Sequence, residues 1–173
     1  MSNRSLVSLL VLLLSVFLAV KFDVPTRLKV GVMRIIYGNE ITRLDGVLVQ
    51  VEIPNPDIAS NGLTGESVRD DLVAKLAKAG VKSLPQDLWQ KTPGKPSLTL
   101  SVLAVKQAGE IYQYTVTIDL DKSVGEDPAP GNEKRTPLWS TEKTGEGNIS
   151  AIRTDINEIT HVFLQAHGTP STY

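Results

Sequence analysis

The sequence predicts an α+β fold, a two-layer sandwich. It has a mostly antiparallel sheet of about four strands with two helices on one face, and an N-terminal hydrophobic helix precedes it. Three observations carry this. Tyr112, Tyr114, Val116, Ile118 and Leu120 alternate with polar residues, as in a strand with one packed and one wet face. Two separate segments place apolar residues at helical spacing between clear start and stop signals. Leu6 to Val20 is an apolar run interrupted only by serines.

That run comes first in the chain, after Met-Ser-Asn-Arg-Ser. A short basic lead followed by an apolar core has the form of a secretory signal. At 1.5 Å rise per residue it spans about 22 Å, against a hydrocarbon layer of about 30 Å. Leu6, Leu9, Leu10, Leu13 and Phe17 are the expected membrane-anchor residues. Phe17-Leu18-Ala19 puts a bulky ring where a signal peptidase wants a small residue, which favours an uncleaved anchor over a cleaved leader. Lys21, Arg27, Lys29 and Arg34 follow the run and pull toward a cytoplasmic domain. The leader-like position of the run pulls toward export, the reading adopted.

The expected organisation is a signal anchor or signal peptide over 1–20, a juxtamembrane amphipathic segment over 21–44, an α+β domain over 45–168 and a tail over 169–173. In the second segment Leu28, Val32, Ile35 and Ile36 share a helical face, the pattern of a basic amphipathic helix at a membrane surface. Leu28, Val30 and Val32 also alternate, so a strand stays open.

Within the domain, Val47, Val49, Val51 and Ile53 mark a first strand that Pro54-Asn55-Pro56-Asp57 ends. A helix is expected over 64–79, with Thr64 as N-cap, Glu66 in its first turn and Gly80 after its end. Val68, Leu72, Val73 and Leu76 form its apolar stripe, and Asp71 with Lys75 an i,i+4 pair. Leu98, Leu100 and Val102 begin the next strand; Leu103 and Val105 then shift phase, which reads as a bulge. Gln107-Ala108-Gly109-Glu110 turns the chain into the Tyr112–Leu120 strand. Residues 121–135, polar and rich in Pro and Gly, read as a long hairpin loop. A strand over 138–144 carries Trp139. The last helix, over 149–167, is capped by Asn148 and closed by Gly168 and Pro170, with Ile149, Ile152, Ile156, Ile159, Phe163 and Ala166 on one stripe.

Few residues point to chemistry. With no cysteine there are no disulfides or thiolate metal sites, and a net charge of −1 gives no field to attract nucleic acid. His161 and His167 diverge by about a third of a turn, which reads as surface histidines near a helix end rather than a metal or catalytic pair. Gly145-Glu146-Gly147 lacks the third glycine and the following strand of a dinucleotide loop. No catalytic residue, cofactor or metal is expected. Leu88 and Trp89, in a Pro-bearing connection, are candidate partner contacts, since Trp concentrates at binding hot spots; the alternative is that they fold back over the open end of the core.

The order strand, helix ending in L-A-K-A-G-V (Leu76 to Val81), paired long strands, a strand bearing Trp139 and a terminal helix ending in V-F-L (Val162 to Leu164) resembles small exported envelope domains. Examples are the amino-terminal domain of the Tol periplasmic component and the lipopolysaccharide-assembly lipoprotein. The likeness covers 44–168 and implies a non-enzymatic assembly or docking role; no functional residue transfers, and the lipidated cysteine is missing.

The expectation is therefore a non-enzymatic, membrane-tethered extracytoplasmic docking or assembly module of a bacterial envelope complex. It would be single-pass in the cell membrane with its domain facing the periplasm, or secreted if the leader is cleaved. Its partners would be membrane lipid through the N-terminal helix and an envelope protein, with no nucleic acid. The alternatives are an accessory structural subunit of a large integral-membrane complex, and an enzyme with an unrecognised site using carboxylates such as Asp119 and Asp121.

Overall fold

A computed structural model describes residues 31–33, 44, 46–124 and 134–167. The expected anchor over 1–20 and the tail lie outside these, and among the described residues no helix is long and apolar enough to cross a membrane. The elements are β1 (Gly31–Met33), β2 (Leu48–Glu52), α1 (Pro56–Ser60), α2 (Gly65–Lys78), α3 (Gln86–Trp89), β3 (Ser97–Lys106), β4 (Tyr112–Ser123), β5 (Arg135–Gly147) and α4 (Ile149–Ala166).

The chain is α+β. Four strands form a mixed sheet, and the three-residue β1 adds to its edge in the order β1-β5-β4-β3-β2. β3, β4 and β5 make an antiparallel meander; β2 lies parallel to β3. A parallel neighbour needs a long crossover, and the chain between β2 and β3 supplies one through α2. Gly31–Met33 pair antiparallel with β5, so the strand alternative holds there, and the amphipathic helix expected across this stretch does not include these three residues.

The two long helices form where caps and stripes put them. Thr64 Oγ1 accepts from Ser67 N at 3.2 Å and Asn148 Oδ1 from Ala151 N at 3.1 Å, each satisfying an orphan donor of a first turn. Gly80 follows α2 with φ +80, a conformation that favours glycine. Val68, Leu72 and Leu76 of α2 and Ile152, Ile156, Ile159 and Phe163 of α4 share one core with Leu98, Leu100, Val102, Tyr112, Tyr114, Val116, Ile118 and Leu120. Both helices thus cover the same face, and the other face stays open.

Several expectations change. The bulge expected at Leu103 is absent: β3 and β4 keep unbroken register from Ser97↔Asp121 to Lys106↔Tyr112. Leu103 and Val105 keep the parity of Thr99 and Ser101, and their apolar side chains project from the open face. The register shift lies instead between β4 and β5, where Leu120 faces Trp139 but Asp121 faces Pro137. Leu138 is the extra residue, which explains how neighbours Leu138 and Trp139 are both buried. The strands flanking the expected 121–135 loop run to Ser123 and from Arg135, longer than the pattern implied; residues 125–133 lie outside the described set. Lys75, expected to pair with Asp71, donates to Asn157 Oδ1 and ties α2 to α4. His167 is buried rather than superficial, its ring stacked on Phe163 one turn earlier at 6.0 Å. His161 is exposed, as expected.

Candidate functional site

The β3–β4 hairpin end of the sheet differs on its two faces. On the open face, Leu103 is 61% exposed, Val105 66% and Ile111 38%. Leu103 and Val105 line an open cleft of about 650 Å³ with Gln113, Thr115, Thr144 and Glu146, and its lining extends to Tyr114, Lys143, Gly145 and Asp155. Strand alternation sets the first six of these on one face, because odd positions of β3 and β4 and even positions of β5 share it. The turn closes through Gln107 N to Ile111 O and Ile111 N to Ala108 O, with Gly109 at φ +60. β2 stops opposite Ser101, leaving the last residues of β3 at the sheet edge. There the Asn55 side chain donates to Ala104 O at 3.0 Å and blunts the exposed ladder.

On the inner face of the same strands lies a polar cluster that the sequence reading missed. Lys143, only 5% exposed, places Nζ 2.6 Å from Asp155 Oδ1 and 2.5 Å from Glu158 Oε2. Tyr114 donates its hydroxyl to Asp155 Oδ2 at 2.8 Å. Burial opposes the Lys143 charge, but the bonds to Asp155 and Glu158 outweigh it and hold the ammonium above the usual lysine range. Burial, then the Asp155 bond and its charge, push the Tyr114 phenol well above its ordinary value, so it stays a neutral donor. An ammonium held between two carboxylates and a phenol bonded to one of them tie β4, β5 and α4 together.

Gly145 makes room for that tie. It faces Tyr114 across the β4–β5 ladder, and a Cβ there would fall 2.7 Å from the Tyr114 hydroxyl oxygen. The signal was present in the sequence: Lys143 has the parity of Trp139 and Gly145, and Asp155 falls between Ile152 and Ile159 on the α4 stripe.

Leu88 and Trp89, the expected partner contacts, sit at the opposite end of the sheet from the hairpin. Trp89 is half-buried; its Nε1 donates to Pro96 O at 2.9 Å and Arg135 lies over its ring at 5.8 Å. Arg135 also pairs with Asp121 and donates to Ser97 Oγ at 2.6 Å. Leu88 is 50% exposed. Asp119 accepts from Ser140 Oγ, so the two carboxylates of the enzyme alternative have separate partners rather than a shared site. Leu6, Leu9, Leu10, Leu13 and Phe17 lie outside the described residues.

No family model, curated protein or solved structure matches this chain.

Proposed function

We propose that this chain is a non-enzymatic docking module, tethered to a bacterial envelope membrane by Leu6 to Val20 with its domain on the extracytoplasmic side. The observation that carries the reading is the amino-terminal apolar run. A second observation supports it. The domain's polar clusters, Lys143–Asp155–Glu158–Tyr114 and Arg135–Asp121–Ser97, hold the fold together, while its open face presents apolar side chains. Exposed contiguous apolar groups are the usual mark of a contact surface.

Crosslinking the full chain in native membranes, followed by mild detergent, tests the docking role. The proposal expects a discrete protein adduct that survives solubilisation. A chain recovered only as an uncrosslinked monomer contradicts it.

A further inference from the structure

The direction in which the chain reaches the sheet says which end of the domain lies nearest the tether. β1 runs antiparallel to β5, with Gly31 opposite Glu142 and Met33 opposite Ser140. Gly31, where β1 begins, is therefore the end of β1 nearer to Lys143 and Gly147. Gly147 faces Tyr112, and Tyr112 faces Lys106, so this is the β3–β4 hairpin end. Residues 21–30, which separate the apolar run from β1, reach at most about 36 Å when fully extended. Three strand spacings of about 4.8 Å put β3 about 14 Å from β1. The tether thus brings the apolar corner of the open face within reach of whatever surface holds Leu6 to Val20.

From this geometry we infer that Leu103, Val105 and Ile111 rest on the bilayer that holds the chain's own amino-terminal run, at headgroup depth. The inference builds on the tethering proposed above. The chemistry fits a shallow contact. Gln113, Thr115 and Thr144 on that face offer polar groups suited to the interface. Glu110 and Glu146 flank the corner and oppose deeper entry into an anionic surface. Farther along the same face Glu52, Asp119 and Glu142 would be repelled by anionic lipid, which confines contact to the hairpin end. Immersion of exposed apolar side chains then adds to the tether, as a second weak anchor does for a peripheral protein. The domain would be held at a set angle, with the Trp89 end facing away from the membrane.

The chain contains no cysteine, so single reporters can be placed cleanly. Full-length Val105→Cys and Gln50→Cys chains, each carrying an environment-sensitive fluorophore, would be reconstituted into phosphatidylethanolamine–phosphatidylglycerol vesicles. Each would be challenged with a headgroup-level nitroxide lipid and with aqueous iodide. The inference expects the label at 105 to be quenched several-fold more by the lipid nitroxide than the label at 50, and several-fold less by iodide. Adding Leu103→Asp to the Val105→Cys chain should restore iodide quenching while the chain still floats with the vesicles. Floating vesicles with labels equally wet at both positions would overturn the orientation and leave the tether intact. A label at 105 shielded from both quenchers, with chain-to-chain crosslinks, would overturn it in favour of a second copy. A chain that does not float would sink the tethering itself.

Discussion

At the hairpin end the two faces of one sheet, a strand's thickness apart, solve opposite problems. Beneath the strands, Tyr114, Lys143 and Asp155 bring polar and charged groups into a buried layer and bond them, with the exposed Glu158 completing the cluster at its rim. Above them, Leu103 and Val105 bring apolar surface into water and leave it uncovered. Each face inverts the usual placement of polar and apolar side chains. The contrast separates roles: the inner cluster fixes the geometry of β4, β5 and α4, and the outer corner is free to meet a surface. Substitutions below should cost stability and spare binding, whereas substitutions above should do the reverse.

The largest effect is expected from Asp155→Ala, which removes one of the two carboxylates on Lys143 and strands the Tyr114 hydroxyl. Urea unfolding should show a loss of about 3 kcal/mol, because Lys143 loses its more buried carboxylate and the buried Tyr114 hydroxyl loses its acceptor. Replacing the whole buried set, with Asp155→Leu, Lys143→Met and Tyr114→Phe together, should be less damaging than Asp155→Ala alone. A triple variant worse than the single would break the distinction between a tie and a net stabiliser.

Gly145→Ala follows, at about 2 kcal/mol, since the added methyl collides with the Tyr114 ring and forces strands or side chain to shift. Combined with Tyr114→Phe it should cost less than the sum, because a shift of the Tyr114 ring already disturbs its bond to Asp155. Tyr114→Phe alone should cost about 1.5 kcal/mol, the worth of a bond to a charged acceptor.

The pH dependence shares that origin. Both Lys143 and Tyr114 hold their protons more tightly folded than unfolded. Their contribution is therefore complete below the unfolded values of about 10 and is lost as pH rises from there toward the folded ones. Unfolding free energy measured from pH 8 to pH 12 should fall in the alkaline half, and more gently in Tyr114→Phe. An equal slope in both chains would remove the tyrosine from the account.

The smallest effect on stability belongs to the outer corner. Leu103→Ser and Val105→Ser should each leave the urea midpoint within about 0.5 kcal/mol of wild type. A large loss would mean that the corner is covered within the molecule and that the two faces do not differ as described.

What the sequence made legible follows this division. Thr64, Asn148 and the Tyr112–Leu120 alternation announce their elements through local rules, and α2, α4 and β4 form there. The parallel pairing of β2 was not legible, because a crossover is a long-range choice with no local signature. Lys143 in Thr-Glu-Lys-Thr looks like a solvated strand residue, and only the partner on α4 makes its burial tolerable. The phase shift at Leu103 implies a bulge only if apolar residues turn inward. They turn outward, and that exception defines the candidate surface. Trp89 admits two readings from sequence, a partner contact or a residue folded back on the core, because the Pro96 O and Arg135 partners of its ring lie outside any local pattern.

Everything assigned to the outer corner depends on where Leu6 to Val20 resides. Intact-mass analysis of the native chain, taken from sealed spheroplasts before and after external protease, tests this most directly. The account predicts a full-length species in the membrane fraction whose domain is digested from outside while the spheroplasts stay sealed. A full-length chain recovered from the soluble cell interior, untouched by the protease, would contradict it.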